Sequence, residues 1–147
     1  MRTHRPRGPV CPPELQQGSH LKTVLVVDDE LANAEVLSLI LQDEGYRVYC
    51  ASNGRQGLDK VIELKPDLVI LDFMMPVMNG AEMGRALRAT AATRDLRILM
   101  NSSLQEEAVR EHFTGYDAFL RKPYNIEKAL ELIDRLLAPE PGQPSPR

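Results

Sequence analysis

The sequence predicts an α/β domain built on a doubly wound, five-stranded parallel sheet. Two observations carry that expectation. Short apolar runs alternate, five times over, with longer segments of helical period. The short runs, such as Leu68-Val69-Ile70-Leu71, are apolar at consecutive positions, as in strands covered on both faces. Five such strand–helix units, joined by right-handed crossovers, wind into one open sheet.

The elements follow in order. Thr23-Val24-Leu25-Val26-Val27 reads as a first strand, 23–27, closed by Asp28-Asp29. Leu31, Ala34, Leu37 and Leu41, flanked by Val36 and Ile40, mark a helix over 31–43. A second strand is expected at 46–50. Asn53-Gly54 then turns the chain into a helix at 54–64. The third strand, 67–71, leads to Asp72 and a loop containing Pro76, and a helix follows at 80–89. A fourth strand is expected at 96–100, a helix at 104–113 and a fifth strand at 117–120. The last helix, 126–137, carries Ile126, Ala129, Leu130, Ile133 and Leu137 on one face.

Eight of the eleven prolines lie before residue 21 or after residue 137. These flanks lack a periodic apolar pattern, so 1–20 and 138–147 are expected to be disordered tails around one folded domain, 21–137. The domain holds 14 Lys+Arg and 19 Asp+Glu, a formal −5, and the flanks bring the chain to −3. An acidic core without a basic patch is not built for nucleic acid. No run approaches the roughly 18 apolar residues of a membrane span. Arg2, Arg5 and Arg7 are not followed by the apolar stretch of a targeting signal, so a cytoplasmic protein is expected. Cys11 and Cys50 form no CxxC or zinc spacing; Cys50 reads as a small buried hydrophobe, with no disulfide framework implied.

In a doubly wound sheet the site lies beyond the carboxyl ends of the strands. Asp28, Asp29, Asp72, Ser102 and Lys122 all fall at such ends. Each alone has an ordinary reading. A strand-end aspartate is commonly a turn residue, and Asp28-Asp29-Glu30 would favour a helix N-terminus. Ser102 alone would be a cap, and Lys122 a surface charge. Gathered on one edge they suit Mg²⁺-assisted phosphoryl transfer. Mg²⁺ takes oxygen ligands in octahedral geometry and keeps waters. Asp29 and Asp72 are the expected direct ligands, with Asp28 acting through water. Asp72 is the expected nucleophile, forming an acyl phosphate. Lys122 would offset charge on the phosphoryl oxygens, and Ser102 would donate its hydroxyl to one of them.

With these residues in place, residues 22–137 closely resemble the receiver domain (CheY-like) of response regulators in bacterial two-component signalling. Asp28-Asp29 match the family's acidic pair and Asp72 its phosphoacceptor. Asp72-Phe73-Met74-Met75-Pro76-Val77-Met78-Asn79-Gly80 matches the segment after the third strand. Ser102 matches the Thr/Ser position, and Lys122-Pro123 the lysine with its usually cis-linked proline. The resemblance implies the (βα)5 flavodoxin-like fold. It also implies a Mg²⁺ ligand in the Met74 carbonyl and an aromatic that moves with activation in Phe119. A sensor histidine kinase or histidine phosphotransfer protein would supply the phosphoryl group within a phosphorelay. A downstream protein would be contacted through 104–137. A homodimer is compatible with that face, although no strong apolar stripe demands one.

The sequence departs from the family pattern in places. The stretch from Ser102 to Lys122 is about two residues short, which trims the fourth helix or its leading loop. Asn101 stands where an apolar residue is usual, Ser103 where alanine is frequent, and Phe119 where tyrosine is frequent. The resemblance implies that Met74 and Leu104, both apolar, flank the path of an attacking water, so self-dephosphorylation should be slow. His112 reads as an ordinary helix residue. The expected function is a single-domain phosphoacceptor, not an enzyme. Two alternatives differ in class: a protein-binding pseudo-receiver that is not phosphorylated, and a Mg²⁺-dependent phosphatase. The phosphatase reading suffers from Met74 standing two residues after Asp72, where a second acid would be needed.

Overall fold

The structure is a computed structural model that describes residues 21–138. Both expected tails, apart from Ala138, lie outside the described residues. Five strands alternate with helices: β1 (Thr23–Val27), α1 (Leu31–Asp43), β2 (Arg47–Ala51), α2 (Gly54–Leu64), β3 (Leu68–Asp72), α3 (Gly80–Ala89), β4 (Arg97–Ser102), α4 (Glu106–Arg110), β5 (Ala118–Arg121) and α5 (Ile126–Leu137). A short 3₁₀ turn, Ala91–Thr93, follows α3. The sheet is wholly parallel, in the order β2-β1-β3-β4-β5. The chain starts at the interior strand β1, passes to the edge strand β2, and returns through the central strand β3 toward the other edge. The order reverses between β1 and β3, and that reversal opens a crevice at their carboxyl ends.

Alternation along the strands divides the core in two. Val24, Val26, Leu68, Ile70, Leu99 and Leu120 meet Leu37 and Leu41 of α1 and Ala129 and Ile133 of α5. Leu25, Val27, Val69, Leu71, Ile98 and Met100 meet Val61 of α2, Met83 and Leu87 of α3, and Val109 of α4. Burial on both faces explains why the strand runs are continuously apolar. Cys50 is buried in the first layer, its Sγ 3.7 Å from Ser38 Oγ. It is disulfide-bonded rather than a free thiol, contrary to the sequence expectation.

The helix expected over 104–113 is the largest revision. Only Glu106–Arg110 are α-helical. At its start the Ser102 side chain accepts the Leu104 N–H at 3.0 Å, which holds Leu104 in a turn. At its end Phe113 turns inward to bury against Gly84 of α3. Packing of the shortened connection therefore overrides local helical preference. No helix among the described residues is long and apolar enough to cross a membrane.

Candidate functional site

The strand ends assemble the site. β1 delivers Asp28 and Asp29, and β3 delivers Asp72 from the neighbouring strand. One carboxylate oxygen from each of the three lies within 4.8 Å of the others. Asp28 and Asp72 are 5 % and 6 % exposed, whereas Asp29 is open to solvent. Asp28 is fixed by its own loop, since its Oδ1 accepts the Glu30 N–H at 2.9 Å. Asp72 is fixed through the backbone that follows it. The Phe73 N–H donates to the Asn101 carbonyl at 2.9 Å, and the Gly80 N–H to the Phe73 carbonyl at 2.9 Å. A β-carbon on Gly80 would stand 2.5 Å from the Asp72 carbonyl oxygen, so α3 starts this close to the acid only because residue 80 is glycine. Asn79 caps α3 with a capping box involving Glu82, which anchors the far end of the loop.

Lys122 arrives from β5 through a loop whose Lys122–Pro123 bond is cis, as the resemblance implied. Its N–H donates to the Ser102 carbonyl at 2.8 Å, which ties the lysine loop to the end of β4. Its Nζ lies 3.4 Å from both Asp28 Oδ2 and Asp72 Oδ1. Burial opposes the ammonium charge, but Asp72 and Asp28 outweigh it and raise the lysine pKa. Asp72 is pushed up to about 7, first by burial and then by the nearby Asp28 charge, with Lys122 only partly compensating. Burial, and after it the excess negative charge of three close acids against one lysine, both favour the protonated form of Asp72.

Ser102 is buried at the end of β4, one residue beyond Asn101, the register partner of Asp72. Its Oγ accepts the Leu104 N–H, leaving its own proton available to donate. Met74 lies two residues past Asp72 with an exposed side chain. Phe119 is partly buried against the second core layer, 5.9 Å between ring centroids from Tyr116. The Tyr116 hydroxyl donates to Glu106 of α4 at 2.6 Å. His112 is not part of the acid cluster; its ring stands 5.8 Å from that of Phe73.

Two features have no counterpart in the sequence reading. Tyr124 lines a cleft of about 420 Å³ together with Asp28, Asn33, Leu37 and Lys122, so the acids open onto the α1–α5 side. Asn101, buried beneath the lysine loop, has an Oδ1 without a hydrogen-bond partner.

Residues 24–134 match the family model described as the response regulator receiver domain. The chain belongs to the response-regulator receiver family. Among curated relatives, the response regulator MprA of Mycobacterium sp. (strain KMS) is 36 % identical over 126 residues, covering 84 % of this chain and 55 % of its own. The DNA-binding response regulator MtrA of Mycolicibacterium paratuberculosis is 37 % identical over 115 residues, covering 78 % and 49 %. The chain thus spans about half the length of these relatives. Among solved structures, the chemotaxis response regulator CheY4 of Vibrio cholerae superposes with a TM-score of 0.75 at 34 % identity, covering 80 % of this chain and 99 % of that one. The response regulator TrrA of Thermotoga maritima, solved in complex with Mg²⁺–BeF, gives 0.73 at 32 % identity, covering 80 % and 100 %. The clustered carboxylates Asp28, Asp29 and Asp72 all fall within the matched receiver segment.

Proposed function

We propose that Asp72 accepts a phosphoryl group from a phosphohistidine, carried by a sensor histidine kinase or a histidine phosphotransfer protein, and that the change is read by another protein. The observation that carries this reading is the contact of one lysine with two buried aspartates at the sheet's reversal point. A lysine spanning two strand-end acids, with a third acid alongside, is more than a cap or a surface pair requires.

The three carboxylates are hard oxygen donors within 4.8 Å of one another, a set that fits a divalent cation; burial first and the Asp28 charge second push Asp72 up to about 7. Asp29 and Asp72 would hold Mg²⁺ directly, with Asp28 acting through water and the Met74 carbonyl as a further ligand. When bound, Mg²⁺ would neutralise the acids and offset charge on the phosphoryl oxygens.

An ionised Asp72 oxygen attacks phosphorus in line with the donor nitrogen. The O–P bond forms as the N–P bond breaks. The donor ring carries a proton on its other nitrogen before transfer, so the imidazole keeps the bonding pair and leaves as a neutral ring. The Lys122 ammonium pairs with the phosphoryl oxygens where it now pairs with Asp72 and Asp28. The Ser102 hydroxyl then turns its proton toward a phosphoryl oxygen, which draws on the contact that holds Leu104 and the start of α4. Phe119, beside Tyr116 and hence beside Glu106, is placed to follow. Residues 104–137 would present the altered surface to a downstream protein or a second copy.

The test is intact mass after incubation with acetyl phosphate. One added phosphoryl group that requires Mg²⁺ and is absent from Asp72→Asn is the expected result. No gain in the wild type with Mg²⁺ bound would overturn the assignment.

A further inference from the structure

Val77 occupies a backbone conformation that its side chain disfavours. Its φ is +67°, and the Met78 N–H donates to the Pro76 carbonyl across it at 2.7 Å. Val77 is therefore the centre of a γ-turn of the rare, positive-φ kind. For a β-branched residue such backbone is an outlier, whereas glycine adopts it without steric cost. Strain of this kind persists only where the surroundings enforce it. Here the Gly54 N–H donates to the Met78 carbonyl at 3.0 Å, and Gly80 to Phe73 at 2.9 Å, fastening both sides of the turn.

The side chain returns little to the fold. Val77 is 80 % exposed, the most exposed large hydrophobic among the described residues. A strained valine that buries almost nothing makes the domain less stable than glycine would at this position. Its use must then lie outside the domain. Its position says where: Val77 is in the loop that leaves Asp72, and exposed Met74 shares that loop. Exposed Leu31 opens α1, just after Asp28-Asp29 on the adjoining strand. A protein that brings a phosphohistidine to Asp72 must lay its surface on this edge, and a small phosphodonor need not.

We infer that Val77 is a specificity-determining contact for the protein that donates the phosphoryl group, presented outward by the strained turn. This rests on the receiver reading above. The test compares wild type with Val77→Gly, Val77→Ala and Val77→Ile in Mg²⁺. One donor is acetyl phosphate. The other is an autophosphorylated sensor-kinase cytoplasmic portion, chosen from a panel because it transfers to the wild type.

Val77→Gly should unfold at higher urea than the wild type. It should react with acetyl phosphate within twofold of the wild-type rate and accept from the kinase at least fivefold more slowly. Val77→Ala, which keeps the strained turn but loses two methyl groups, should also slow kinase transfer. Val77→Ile should stay within twofold. Equal kinase transfer in wild type and Val77→Gly would overturn the inference. Equal slowing with both donors would also overturn it, because Val77 would then act on the site itself. Unchanged transfer with loss of concentration-dependent self-association would assign the patch to a second copy instead. A wild type that gains no phosphoryl group from acetyl phosphate would overturn the receiver reading itself, a failure visible before any variant is compared.

Discussion

Replacing Asp72 with asparagine should make the metal-free domain more stable at neutral and alkaline pH. Asp72 is buried and pushed up to about 7, by burial first and the Asp28 charge second. In the unfolded chain the same carboxyl titrates near 4. Between those values the folded state binds more protons than the unfolded state, so stability falls as pH rises through the window. Above it the folded protein carries the full cost of an ionised Asp72, about 4 kcal/mol at 1.36 kcal/mol per pH unit. Local relaxation and water entry reduce that, so roughly 2–4 kcal/mol is expected. Asparagine is neutral throughout and escapes this cost. At pH 8 in chelator, with a urea slope of about 2 kcal/mol/M, Asp72→Asn should raise the midpoint by about 1–2 M. The gap should shrink toward pH 4.5, and saturating Mg²⁺ should close much of it by stabilising the wild type preferentially. Urea titrations at pH 4.5, 6 and 8, with and without Mg²⁺, measure all three trends. A variant no more stable than wild type at pH 8, or a gap independent of pH, would refute the reasoning.

Other consequences concern neighbouring residues. Gly80→Ala should cost roughly 2–3 kcal/mol in urea unfolding, since the new β-carbon would meet the Asp72 carbonyl oxygen at 2.5 Å and displace α3 or the acid. Lys122→Met should slow phosphorylation by acetyl phosphate at least tenfold in a mass time course, because the cation facing both Asp28 and Asp72 is lost. Once donor is removed, the phosphorylated domain should decay over minutes or longer if apolar Met74 and Leu104 flank the attacking water as the family resemblance implies; decay within seconds would contradict that role.

Much of this was legible because the architecture is written in local patterns. α1, α2, α3 and α5 have the boundaries that their apolar spacing predicts. The strand positions follow from continuous apolar runs, which only a doubly covered sheet demands. Their ends were less legible. β3 and β4 run on into Asp72 and Ser102, polar residues whose backbone remains in register with the neighbouring strand. That pairing is non-local. α4 was overestimated for a similar reason: Ser102 and the burial of Phe113 against Gly84 set its limits from outside the segment. The meeting of Asp28, Asp29, Asp72 and Lys122 was readable from strand-end positions alone. The left-handed Val77 was not, because propensity argues against a β-branched residue there and only the two flanking hydrogen bonds enforce it.

The central proposal is chemical: Asp72 is the residue that takes the phosphoryl group. Borohydride reduction of the phosphorylated domain converts an aspartyl phosphate to homoserine, which peptide mass spectrometry locates. Homoserine at position 72, and nowhere else, is the expected result. Homoserine at position 28 or 29 instead, or a phosphoryl group retained on His112, would contradict it.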